Sequence, residues 1–268
     1  MLHPASFGAA QTAVHRTRTT VGGTFPPSPR RGSLIVRVPS LTLAAAGAAL
    51  IAPAALPDTA GAVQPRQRPA AHSEGAVAAA DLLARLGECH QVSRGRYRTD
   101  ADRPATVPVC GTEDAVFWKA DLDVDCDGRS SKHCNRRTDP SFAAATAFQQ
   151  SDGRHLKAEK LPYIVVPPPS RIWDHRAAGV PGGSVAAVVY RGRVQYAVVG
   201  DTGPRDVIGE ASYATARALG IRSDPRDGGV SSGVTYIVFK NSRVNPLEDH
   251  AAAVATGERL ARLLLMNK

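Results

Sequence analysis

Aromatic residues are scarce. They make up 5% of the 268-residue chain, so a surface that stacks against sugar rings must draw on a few of them: Trp118, Trp173, Tyr163, Tyr196 and Tyr213. Cysteine is scarcer still, with four residues at 89, 110, 126 and 134 and no Cys-x-x-Cys pair. That spacing speaks against zinc, even though His90 and His133 adjoin two of the cysteines. The phosphate-cradling pattern Gly-x-x-x-x-Gly-Lys is missing. The arginines are scattered and no nucleic-acid reading motif is present, so the basic charge does not point to a nucleic acid. Beyond residue 63 no apolar run is long enough to span a membrane. Gly229-Val230-Ser231-Ser232-Gly233 fits Gly-x-Ser-x-Gly, but it leads into a strand, where a nucleophile elbow must lead into a helix. Asp174-His175 reads as a surface pair on a loop.

The first 63 residues differ from the rest. The whole chain carries 33 Lys and Arg against 24 Asp and Glu, a formal charge of +9. Those 63 residues hold five arginines and one acid, so 28 basic and 23 acidic residues remain beyond them, a net charge of +5. Arg30-Arg31 precedes an apolar region from Leu41 to Leu56, and the small residues Ala60-Gly61-Ala62 follow. This is the order of an export signal, with a twin-arginine flavour. Residues 64–76, rich in Pro, Arg and Gln at their start, read as a linker. Residues 77–268 read as one domain, expected to be secreted and monomeric, with no membrane attachment after signal removal. An even cysteine count in an exported chain implies two disulfides with three possible pairings. The most local pairing, Cys89 with Cys110 and Cys126 with Cys134, is the expected one.

Within the domain, Val77 to Leu86 reads as a helix stopped by Gly87. Ala115–Ala120, Tyr163–Val166, Ser184–Tyr190, Arg193–Val199 and Val234–Phe239 read as strands. Arg191-Gly192 marks a hairpin between the third and fourth of them. Asn245 as N-cap, Pro246 at the first helical position and Glu248 three residues after the cap predict a C-terminal helix, with Val254, Leu260, Leu263 and Leu264 on its apolar face. The class is α/β (α+β): a strand-rich core, a small β-barrel or strongly bent sheet, with flanking helices.

Two constellations of carboxylates stand out. Asp201 follows the run Val194–Val199, and Glu210 precedes the helix-like run Ala211–Leu219, with a Gly- and Pro-containing loop between them. A carboxylic acid and a carboxylate on opposite sides of a bond are the tools of glycoside hydrolysis. A turn role for Asp201 and a helix-start role for Glu210 account for the same spacing. The second constellation is Asp121-Leu122-Asp123-Val124-Asp125-Cys126-Asp127-Gly128. Alternation puts its aspartates on one face, where like charges call for a cation or a cationic ligand. Asp123-x-Asp125-x-Asp127-Gly128 also matches the start of an EF-hand loop, although Cys134 stands where the bidentate Glu belongs. A secreted calcium- or glycan-binding module using this run is therefore the alternative to an enzyme.

The run Ala120–Gly128, followed by Gly200-Asp201 and Ile208-Gly209-Glu210-Ala211-Ser212, resembles the fungal-type chitosanases, glycoside hydrolase family 75. The resemblance implies a secreted hydrolase of β-1,4 glucosamine linkages in chitosan, endo-acting and inverting, built around a β-barrel. It implies Asp201 and Glu210 as the catalytic pair. Asp121, Asp123 and Asp125 suit the ammonium groups of a polycationic substrate. The positive net charge opposes such a substrate overall, but screening over about 8–10 Å gives the local acidic surface more weight. The mechanism needs no metal and no organic cofactor. Which carboxylate is the acid stays open: a helix N-terminus at Glu210 favours its ionised form, and burial favours the neutral one.

Overall fold

A computed structural model describes residues 74–267; the expected export signal and most of the linker lie outside the described residues. The chain forms helix α1 (Ala79–Leu86), then β1 (Cys110–Gly111), β2 (Ala115–Asp125), β3 (Tyr163–Val166), β4 (Val185–Tyr190), β5 (Arg193–Thr202) and β6 (Glu210–Ser212). Helix α2 (Tyr213–Ala218), β7 (Val230–Phe239) and helix α3 (His250–Met266) complete it. The strands run in the order β2-β6-β3-β5-β4-β7, and β7 pairs back onto β2, so six strands close a mixed barrel with β1 appended to β2. The expected strand-rich barrel with flanking helices is the fold.

Closure explains why the strands read as continuous apolar runs. All of β3 and β4 and nearly all of β5 are buried on both faces, as strands covered on both sides must be. Successive residues feed two cores. Val185, Ala187 and Val189 of β4 join one with Leu82 and Leu86 of α1 and Ala261 and Leu264 of α3. Ala186, Val188 and Tyr190 join the other, where Trp118 stacks on Tyr236 at 5.2 Å between ring centroids. Such a stack adds about 0.5–1.5 kcal/mol to the burial of two large side chains.

Local chemistry sets the boundaries. Arg191 and Gly192 both adopt positive φ, 47° and 78°, the backbone of a two-residue hairpin whose twist matches its strands. The two disulfides are the expected ones, Cys89–Cys110 and Cys126–Cys134. They occupy all four sulfurs, which leaves no thiolate for zinc.

Three expectations fail, and the apolar face of the last helix holds except at Leu263, since Leu264 is buried and Val254 and Leu260 pack against the core. The last helix starts at His250: Asp249 is its N-cap, accepting from the Ala252 N–H at 2.9 Å. Pro246 opens a turn closed by the Asp249 N–H, and the Glu248 carboxylate reaches across the chain to Ser151 instead of back to Asn245. The buried face of α3 is Ala253, Gly257, Ala261 and Leu264, while Leu263 is exposed and Val254 and Leu260 are half-buried. Small residues take that face because the Tyr196 ring packs where a side chain at Gly257 would sit. Glu74, at the end of the expected linker, is tied down. Its N–H donates to Val194, and its carboxylate meets the Tyr196 N–H and His250. His175 is no surface pair either: it is fully buried, with Nδ1 2.6 Å from the Val180 carbonyl.

Candidate active site

The site is a row of side chains across four neighbouring strands. Asp123 of β2 pairs with Glu210 of β6, and Ala211 pairs with Ile164 of β3, which sets Glu210 beside Val165. Val165 in turn pairs with Asp201 of β5. That last pairing depends on a bulge. Ile164 faces Val199 but Val165 faces Asp201, so Gly200 is an extra residue. Without it Asp201 would turn to the opposite face, because side chains alternate along a strand. A side chain at Gly200 would run into the Tyr163 Cβ at 2.6 Å and the Leu156 Cδ1 at 2.7 Å, so only glycine fits the bulge.

Glu210 therefore stands on a short strand, not at a helix start as the sequence suggests; α2 begins three residues later. The reason is Ser212. Its hydroxyl donates to the Leu161 carbonyl at 2.9 Å and accepts from the N–H groups of Tyr163 and Thr215. One buried hydroxyl thus pins β6 to β3 and caps α2. Gly209 just before Glu210 has φ of 125°, a conformation closed to other residues, and lies against Asp121 Oδ1. Tyr236 reaches the carbonyls of both Asp121 and Gly209, at 2.9 and 3.0 Å. Neither Ser212 nor Tyr236 carried a sequence signal for a role here, beyond the place of Ser212 in the Gly-Glu-Ala-Ser motif.

The row opens into a cleft of about 450 Å³. Its lining includes seven carboxylates, those of Asp123, Asp125, Asp127, Asp139, Asp201, Glu210 and Asp224, against one cation, Arg226. Asp123 and Asp125 line it as expected. Asp121 does not: it is buried beneath Gly209 and outside the lining. Asp127 joins from the end of the Asp-rich run, and Asp139 and Asp224 from loops that the sequence did not single out as binding groups. The EF-hand reading fails on geometry, since Asp123 and Asp125 sit on the β2–β6 ladder and do not wrap a loop. The expected stacking residues do not form a sugar platform. Trp118, Tyr163 and Tyr196 are fully buried, Trp173 nearly so, and Tyr213 stacks on His133 away from the cleft lining.

The carboxylates do not share one environment. Burial pushes Glu210 up to about 7, helped by the charges of Asp123, Asp127 and Asp201. Burial also raises Asp201, but the N–H groups of Ala147 and Thr202, each 2.7 Å from its Oδ1, and nearby His155 favour its ionised form. Desolvation is the leading cause at Asp123 and Asp127, each raised to about 6, and Asp125 is raised well above the usual range. Both carboxyls are raised by burial, but only Asp201 has N–H donors and a histidine that favour its ionised form, a difference that suits an acid and a base. Strand spacing puts the α-carbons of Asp201 and Glu210 two steps of about 4.8 Å apart.

The chain is similar in sequence to known proteins. Residues 122–260 match the family described as fungal chitosanase of glycosyl hydrolase group 75. Endo-chitosanase C of Aspergillus oryzae is 32% identical over 137 residues, 49% of this chain and 33% of that protein. Endo-chitosanase of Aspergillus fumigatus is 30% identical over 143 residues, 48% of this chain and 60% of that protein. Endo-chitosanase B of Aspergillus oryzae is 31% identical over 178 residues, 60% of this chain and 74% of that protein. The chain thus spans about a third of the length of the first of these relatives. The family match runs from β2 into α3 and takes in Asp123, Asp125, Asp201 and Glu210, so the strands that build the acidic row are the shared part. The chain belongs to the fungal chitosanases of glycosyl hydrolase group 75.

Proposed function

We propose that the protein is an endo-acting chitosanase that inverts the anomeric centre, with Glu210 as general acid and Asp201 as general base. The observation that supports it is the pair itself: two carboxyls on one face of the barrel, two strand steps apart across Val165, both raised by burial but only Asp201 held by N–H donors. Glu210, raised to about 7, keeps its proton at the mildly acidic pH where chitosan is charged and soluble, and donates it to the glycosidic oxygen. Asp201, anchored through Oδ1 by two N–H groups, keeps its other oxygen to take a proton from the attacking water. An inverting pair leaves roughly 6.5–9.5 Å for that water, in keeping with a separation of two strands.

The substrate assignment follows from charge. A cleft lined by seven acidic side chains and one arginine suits a polycation, whose ammonium groups favour the ionised forms of Asp123, Asp125 and Asp127 that burial otherwise disfavours, and it offers an anionic polymer no such gain. Asp123 and Asp125 accept ammonium hydrogen bonds at subsites beside the pair. The absence of an aromatic platform from the cleft lining fits recognition by charge. Secretion is part of the proposal, supported by two disulfides and by the leader sequence; no described helix is long and apolar enough to cross a membrane.

The test is reducing-end release from soluble chitosan, with chitin and carboxymethyl cellulose alongside, for the chain from Gln64 onward and for Asp201→Asn and Glu210→Gln. Release from chitosan alone, abolished in both variants, supports the whole reading. Activity on another polymer keeps the pair and changes the substrate, and no hydrolysis by the folded protein overturns the enzyme.

A further inference from the structure

The Asp-rich strand has a second side. Asp121, its first aspartate, is 3% exposed and lies outside the cleft. Its Oδ1 is shielded from solvent with no hydrogen-bond partner among the described residues. A buried carboxylate oxygen without a donor is costly and asks for an explanation. One carboxylate oxygen from each of Asp100, Asp121 and Asp123 lies within 4.8 Å of the other two. The positive group at hand is Arg103, whose Nε approaches Asp100 at 3.8 Å from a largely solvent-exposed position. No ion pair among the described residues involves Asp121 or Asp123.

The three groups come from two segments. Asp121 and Asp123 belong to β2, and Asp100 to a loop docked on the catalytic segment. The Arg98 N–H donates to the Asp206 carbonyl at 2.8 Å, and the Ile208 N–H to the Arg98 carbonyl at 3.0 Å. Asp121 Oδ1 lies where a side chain at Gly209 would sit, and the residue is 3% exposed, a setting closed to the bulk of a pyranose ring.

We propose that Asp100, Asp121 and Asp123 bind one hard divalent cation of the Ca²⁺ type, which ties the loop of Asp100 to β2 beside Glu210. Carboxylate oxygens alone, without imidazole or thiolate, select hard cations over zinc or copper. Three protein carboxylates leave the remaining positions to water, which puts the affinity with extracellular calcium modules, about 10⁻⁴–10⁻³ M. The site is separate from the run Asp123-x-Asp125-x-Asp127 that imitates an EF-hand, sharing only Asp123. It is also independent of the hydrolytic reading, because its test reads binding and not turnover.

Tb³⁺, a luminescent stand-in for Ca²⁺, is the probe, titrated into the full chain and excited through Trp118 and Tyr236, whose hydroxyl lies 2.9 Å from the Asp121 carbonyl. The expected result is saturable emission that Ca²⁺ displaces, with affinity weakened roughly tenfold or more in Asp100→Ala and Asp121→Asn. Neither residue lines the cleft, so ions gathered there by Asp125 or Asp127 keep their affinity in both variants. Asp100→Ala changes a surface loop and decides the matter even where Asp121→Asn fails to fold, as a thermal melt of each variant reveals. No saturable emission at millimolar ion overturns the proposal, as does emission that Asp100→Ala leaves unchanged.

Discussion

The larger of two cavities of the domain and its chemically equipped one are different places. A groove of about 830 Å³ is lined by Arg94, Arg171, Arg176 and Lys240 with a single acid, Asp174. The cleft of about 450 Å³ reverses that balance, with seven acids and one arginine. Size favours the first and chemistry the second. The arginines of the groove stand on loops with their side chains exposed, whereas four of the cleft's carboxyls, those of Asp123, Asp125, Asp201 and Glu210, stand on strands, where burial raises their pKa. Perturbed titration follows from that confinement and marks a site better than volume does. The same contrast reconciles an overall positive charge with the proposed polycationic substrate, because the two signs are gathered into separate depressions.

The comparison predicts a graded series of effects. Glu210→Gln and Asp201→Asn remove the proposed proton donor and acceptor and should lower chitosan turnover by about 10²–10⁴-fold while a thermal melt shows the fold intact. Loss of less than tenfold in either variant would move the chemistry elsewhere. Gly203→Ala comes next. A Cβ there would press on the Glu210 carboxylate and stand 3.0 Å from Val165 Cγ1, so kcat should fall by about tenfold with little change in Tm.

Asp123→Asn should act on pH dependence more than on rate. After burial, the charge of Asp123 does most to hold Glu210 up near 7, so its removal lowers the Glu210 pKa and moves the alkaline limb of the kcat profile to lower pH. A limb that stays in place would separate Glu210 from the acid role. Stability carries the same signature with a smaller reading. Asp121, Glu210, Asp123 and Asp127 are raised to about 8, 7, 6 and 6. A raised folded-state pKa gives stability that is complete below the unfolded value near 4 and is lost as pH rises through the folded value. The metal-free protein should therefore melt several degrees lower at pH 8 than at pH 5, since each tenfold gain in proton affinity on folding is worth about 1.4 kcal/mol. A Tm that rises over this range would contradict the burial of these groups. Arg176→Ala, in the basic groove, should leave chitosan hydrolysis unchanged. A loss comparable to that at Gly203 would bring the groove into the reaction and end the distinction between the two regions.

Much of this was legible from residue order. The hairpin at Arg191-Gly192 and the strand Tyr163–Val166 follow from backbone preference and apolar runs, which act over a few neighbours. The local disulfides follow from short separations along the chain. The Asp-rich run and the Gly-Glu-Ala-Ser segment both reach the cleft. The misreadings have a common cause. Asp249, not Asn245, caps α3 because Glu248 is drawn to Ser151, nearly a hundred residues away. Trp118 and Tyr196 are core residues because the barrel closes over them.

What the sequence by itself determined is therefore the inventory: strands long and apolar enough to be covered on both faces, four paired cysteines, and carboxylates placed at strand ends. What only the tertiary structure decided is their company. The extra residue at Gly200 turns Asp201 toward Val165, and the Ser212 hydroxyl holds Glu210 on a strand instead of a helix. Closure of six strands crowds carboxyls from distant segments into one cleft and leaves Asp121 buried behind it. A pKa or an unpartnered oxygen depends on solvent and on groups far away in sequence, and these come together only when the barrel closes.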